Sequence, residues 1–165
     1  MYERKRSAGC QSEATIITPS RNLAVRGLSI RGAGAHLLTV ALSVDGASGV
    51  RISGCAFENL MAAIGVSSSH QVQVSECRFN RIDHVGLGYS LMVGTFTVAV
   101  TMSNCVGDKG RHFMTTTGED GIARSISVIG NTFRGSILGA IAPHAQGYDI
   151  VIEGNHISDS NMGST

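Results

Sequence analysis

Six times along this chain an apolar residue is followed at +2 by another, at +5 by Cys, Asn or an apolar residue, and at +7 by a large apolar residue. The template is clearest in V-R-I-S-G-C-A-F, from Val50 to Phe57. The other copies are Leu23/Val25/Leu28/Ile30, Val72/Val74/Cys77/Phe79, Val100/Met102/Cys105, Ile126/Val128/Asn131/Phe133 and Ile150/Ile152/Asn155/Ile157. In the fourth copy Gly107 stands where the phenylalanine belongs. The starts lie 27, 22, 28, 26 and 24 residues apart. A period of this length with short β-rich units marks a solenoid. The unit is too short for a propeller blade and has no helical spacing.

Positions 0 and +2 fall on one face of a strand, and the residue between them faces out. That outward place holds Arg51, Gln73, Thr101, Ser127 and Val151. The change of parity between +2 and +5 needs a sharp bend, and Gly54, Gly130 and Gly154 supply it. Each repeat therefore reads as strand, bend, strand, longer turn and third strand. Stacked coils of this kind make an all-β parallel β-helix of about six turns, with Phe57, Phe79 and Phe133 stacked inside. Residues 1–22 lack the repeat and read as a leader or partial cap, leaving 23–165 as the β-helix domain.

The phrasing I-x-V-x-G-N-x-F in Ile126 to Phe133, and again from Ile150 to Ile157, resembles the coil repeat of the right-handed parallel β-helix superfamily, the pectate-lyase-like proteins. That resemblance implies right-handed winding and an Asn ladder at the bend, where Asn131 and Asn155 stand. It also implies an extracellular life and polysaccharides as partners. The segment Ala142-Pro143-His144-Ala145 is similar to the D-P-H-D segment of β-helical alginate epimerases. Pro143 and His144 match it, whereas both acids are alanine here.

Composition narrows the partners. A net charge of +1 excludes a strongly basic nucleic-acid surface. No run approaches the ~18 consecutive apolar residues needed to cross a bilayer. Met1-Y-E-R-K-R is followed by no apolar stretch, so no signal peptide is read. With an extracellular life, the export signal is missing from this sequence or the protein travels on a larger particle such as a phage. The last coil stops soon after Ile157, which calls for a second subunit or a longer parent chain to cover its open end. Cys55, Cys77 and Cys105 share the +5 place and read as a buried ladder of free thiols. No metal site is expected of them, since one stacked row cannot converge on an ion, and no other cofactor is implied.

Counted from Val72 and Val100, the third and fourth copies place Arg81 and Lys109 at +9, Asp83 and Arg111 at +11, and His84 and His112 at +12. With Val85 and Phe113 pointing inward, both histidines face out. In register, His84 would stack on His112 and Asp83 would pair with Arg111. Arg111 and Lys109 suit a uronate carboxylate, and His112 or His84, kept neutral by the neighbouring cation, suits a base. Arg81, Asp83, Thr115 and His144 complete the expected substrate contacts. A carboxylate pair suited to glycoside hydrolysis is not evident. Three classes of function fit: lyase-like chemistry on an acidic polysaccharide, a noncatalytic glycan-binding module of a tail spike or adhesin, and a purely structural segment.

Overall fold

A computed structural model describes residues 15–17, 19–32, 40–84, 86–118, 122–144 and 147–160. Cys10 and Val85 lie outside these residues. The described residues form strands in groups of three. They are β1 (Thr15–Ile17), β2 (Ala24–Arg26) and β3 (Ser29–Arg31); β4 (Val40–Asp45), β5 (Ser48–Ser53) and β6 (Ala56–Glu58); β7 (Ala62–Ser67), β8 (His70–Ser75) and β9 (Arg78–Ile82); β10 (Tyr89–Val93), β11 (Val98–Ser103) and β12 (Val106–Gly110); β13 (His112–Thr116), β14 (Ala123–Ile129) and β15 (Thr132–Ser136); and β16 (Ile141–Ala142), β17 (Gly147–Glu153) and β18 (His156–Ser158).

Every third strand joins the same sheet. The first runs β1-β4-β7-β10-β13-β16, the second from β2 to β17, and the third from β3 to β18. All pairings are parallel, as a chain that keeps winding in one direction requires. The result is a right-handed parallel β-helix, and its first strand, β1, already lies within residues 1–22. The repeat of the sequence is the register of the second sheet. Val50 pairs with Val72, Val72 with Val100, Val100 with Ile126, and Ile126 with Ile150. The bend glycines Gly54, Gly130 and Gly154 have φ of 60°, 65° and 62°, a region that a side chain disfavours.

Beside that bend runs one repeated hydrogen bond. The thiols of Cys55, Cys77 and Cys105 donate to the carbonyls of Val25, Ile52 and Val74 in the preceding coil. In the same column the amides of Asn131 and Asn155 donate to Met102 and Val128. Burial pushes the Cys55 thiol up, and contact with Cys105 together with burial pushes Cys77 up. All three are sealed at 1% exposure, so native protein should leave Cys55, Cys77 and Cys105 unmodified by a thiol reagent, and denaturant should expose all three; rapid native labelling would refute a closed ladder.

Aromatic rings fill the interior beside the third sheet. Phe57 stacks on Phe79 with centroids 5.4 Å apart. One coil further on, Gly107 leaves a gap, and Phe113 from the next strand fills it and stacks on Phe133 at 4.6 Å. A Cβ on Gly107 would run into the Phe113 ring, and one on Gly110 would come within 2.8 Å of it. Two missing side chains thus make the seat for one borrowed ring.

Candidate functional site

Where the third sheet hands over to the first, Met61, Ala62 and Tyr89 are buried yet lie outside the central apolar cluster. Strand register continues this outer corner to His112, which pairs with Tyr89. The two rings stack with centroids 5.8 Å apart and planes 11° from parallel. His144, just beyond β16, meets His112 edge-on at 6.2 Å. It is held there because its backbone N–H donates to Thr116 Oγ1 at 2.8 Å.

Arg111 closes the corner from the other side. Its guanidinium lies 5.6 Å from the centre of the Tyr89 ring, donates to the Tyr89 hydroxyl at 2.9 Å, and donates also to the Gly86 carbonyl. Gly88 permits this approach, since a Cβ there would meet Arg111 Cβ at 2.7 Å.

The protonation of His112 follows from its partner. Nδ1 lies 2.5 Å from the Gly139 carbonyl, which can only accept, so Nδ1 carries the hydrogen. In the neutral ring Nε2 is then the basic nitrogen, and it is not among the sealed, partnerless polar atoms. Burial lowers the His112 pKa, Arg111 and His144 lower it further, and the bond to Gly139 opposes them. A lowered pKa means that the folded chain prefers the neutral ring. The stability gained is complete above the ordinary value of 6.5 and is lost as the pH falls below it. Replacing His112 with Gln should flatten the fall of the urea midpoint between about pH 7 and about pH 5. An unchanged slope would mean that other groups set the acid sensitivity.

Several expected neighbours fall elsewhere. His84 does not stack on His112. The turn from Asp83 to Gly88 is longer than its counterpart at Arg111, so counting from Val72 slips out of register and Tyr89 takes the place opposite His112. Asp83 forms no ion pair with Arg111 among the described residues; it is exposed, and the guanidinium turns to Tyr89 and Gly86. His84 is half-buried, with Nδ1 sealed and unpartnered. Arg81 and Lys109 do lie one coil apart, as the flanking pairs Asn80 with Asp108 and Ile82 with Gly110 require, and both are exposed. They stand on the third sheet, before the corner. Thr115 is fully buried and donates its hydroxyl to Ala142 at 3.0 Å, so that hydroxyl serves the fold.

Tyr89 was not singled out from the sequence. Aligning Leu91-Met92-Val93 with Met114-Thr115-Thr116 places it opposite His112. The pairing of His112 with His144 had no comparable signal, because His144 lies past the end of β16, beyond the paired residues.

A search of curated proteins finds no match to the chain. Among solved structures, a protein from Parabacteroides merdae described provisionally as a glycosyl hydrolase has the same fold, with a TM-score of 0.55 and 9% identity, covering 88% of this chain and 83% of that one. A family model described as periplasmic copper-binding protein (NosD) matches residues 2–165. With parallel sheets wound on the repeat that the sequence carries, and a match over nearly its whole length, the chain belongs to the NosD family of β-helix proteins.

Proposed function

We propose that this chain is a carbohydrate-active β-helix that acts on an acidic polysaccharide at the corner of Tyr89, Arg111, His112 and His144, by lyase-like β-elimination. The observation that carries this reading is the hydrogen bond from His112 Nδ1 to Gly139, which leaves Nε2 as the basic nitrogen of an imidazole that burial favours as neutral, beside a guanidinium steadied by Tyr89. Arg111 neutralises the uronate carboxylate and so acidifies the adjacent C–H. His112 Nε2 takes the C5 proton, the C4–C5 double bond forms, and the C4–O bond breaks. The imidazolium returns a proton to the departing oxygen. Lys109 and Arg81, exposed on the neighbouring sheet, extend the cationic approach.

Hydrolysis fits the corner less well, because a glycoside hydrolase sets two carboxylates about the bond and the four corner residues include none. The family description names copper. Among the described residues no three His, Cys, Asp or Glu side chains converge, and the stacked thiols are spent on backbone carbonyls. His112 and His144 are two donors only, so the donor set at this corner does not make a copper centre. The periplasmic description of the family and the pectate-lyase-like repeat favour a location outside the cytoplasm. In the last coil Ile152 and Ile157 are 51% and 44% exposed, which favours a further coil or a second subunit over them.

The test is incubation with a panel of acidic polysaccharides, following the ultraviolet absorbance of unsaturated ends. Product formation lost in His112→Ala and in Arg111→Ala supports elimination. A noncatalytic glycan-binding module is the second reading, favoured by the 6% exposure of His112. It prevails if a polymer is bound but not cleaved and Arg111→Ala abolishes that binding.

A further inference from the structure

The outer face of the second sheet carries a feature that the Tyr89 corner does not use. Strand register lines up Arg21, Ser48, His70, Val98, Arg124 and Tyr148 in one column parallel to the axis. At one coil per ~4.8 Å the column is about 24 Å long. Arg21, His70, Arg124 and Tyr148 are exposed. At its first end a hollow of about 380 Å³ opens between Pro19, Arg21, Gly46, Ser48 and His70. In the adjoining column Arg51, Gln73, Thr101 and Ser127 follow one another.

These cations differ from two arginines of the third sheet, though Arg81 and Lys109 on that sheet are likewise without an ion pair among the described residues. There Arg31 lies 3.6 Å from Glu58, and Arg134 lies 3.6 Å from Asp159. Arg21, Arg51 and Arg124 have no ion pair among the described residues. Asp149 lies beside the far end of the column, where Ser125 donates to it at 2.9 Å.

An exposed aromatic ring stands on the same edge. Phe96 is 67% exposed and holds φ at 55°, a left-handed conformation that costs a non-glycine residue about 1 kcal/mol. The bond from Ser68 N–H to the Thr95 carbonyl sets it one coil beyond Ser68, two residues before His70. The left-handed turn itself is shared with Ser68 one coil earlier, but a solvated ring beside a cationic column points to a ligand.

We infer that this column, with Phe96 at its edge, is a binding track for an acidic polysaccharide, separate from the Tyr89 corner. It shares with the proposed function only the chemical class of the ligand, and it stands on other residues. A glycan lying along the axis sets about one sugar on each coil. The guanidinium groups take its carboxylates or sulfates, Ser48, Thr101 and Ser127 meet its hydroxyls, and Phe96 and Tyr148 stack on ring faces. Sparse cations among hydroxyls, on a chain of net charge +1, suit a glycan better than a nucleic acid.

The test is binding of polygalacturonate and chondroitin sulfate to the whole chain, with single-stranded DNA as a polyanion control. The triple variant Arg51→Ser, His70→Ser, Arg124→Ser should bind about tenfold or more weakly and with a shallower salt dependence. Phe96→Gly should weaken binding while raising the unfolding midpoint. Arg31→Ser, on the third sheet and in neither site, should bind as the parent does. The track is overturned if the triple variant binds normally, or if the parent binds neither glycan. DNA bound as tightly, and lost with the same variant, overturns the glycan as occupant. Binding lost in His112→Ala but kept in the triple variant overturns the track while sparing the proposed function. Loss of cleavage in His112→Ala with binding intact supports both.

Discussion

Restoring the missing phenylalanine of the repeat, by Gly107→Phe, should destabilise the protein by about 3 kcal/mol or more, although it makes the sequence more regular. The Phe113 ring already occupies the space above Gly107 and lies flat against Phe133. Neither ring can move aside, since Phe113, Phe133 and Met102 are all sealed within the same interior. Phe113→Ala alone should cost about 3–5 kcal/mol, because it removes a buried ring over two glycines and leaves a void. Together the two changes should largely cancel. The double variant recreates Phe57 and Ala63, which have the same separation and coexist one turn of the solenoid after another. Urea unfolding of the four proteins closes the cycle. Additive losses would show that Phe113 and position 107 do not share one space.

The second large effect is expected at Asn131. Its Oδ1 accepts the Cys105 N–H at 2.9 Å, and its Nδ2 donates to Met102 at 3.0 Å and to Asn155 Oδ1 at 2.9 Å. Asn131→Ala would leave a buried donor and a buried acceptor without partners and should cost about 3 kcal/mol. Asn131→Cys should cost less, because a thiol in this column already satisfies the equivalent carbonyl three times. The Cys105 N–H would still be stranded, so that variant should fall between alanine and the parent. Equal losses for the two would show that the amide acts through volume alone. Measured unfolding free energies decide the order.

The strand phases were legible because an outward or inward choice at period two is read from each short segment alone, as at Val72 and Val74 or Ile126 and Val128. The bend was legible for a similar reason: Gly54, Gly130 and Gly154 mark it in the chain. The corner was not, because it lies beyond a turn of variable length. Offsets counted from Val72 carry through Arg81 and fail after Ile82, so Asp83 and His84 miss Arg111 and His112 although the types of residue at the corner were anticipated. A side chain reached across a turn is placed by the strand after the turn, and Leu91 rather than Val72 is the ruler for Tyr89 and His112. Phe113 illustrates the same limit from inside. The gap at Gly107 is visible in the repeat, but what fills it is known only once β12 and β13 are placed together.

That borrowed ring also bears on how the number of coils can change. Solenoids lengthen and shorten by gaining or losing whole turns, and a new joint is tolerated when any coil can follow any other. The second and third coils are nearly interchangeable, each presenting a thiol and a phenylalanine to the next, Cys55 with Phe57 and Cys77 with Phe79. Between β12 and β15 the coils are not. There the thiol column passes to asparagine at Cys105 and Asn131, and the vacancy at Gly107 is answered by Phe113 and then Phe133. Excising or duplicating a turn across that boundary would separate a hole from its plug or a donor from its acceptor. The boundary therefore acts as a fixed joint, leaving growth and loss of turns to the coils before it.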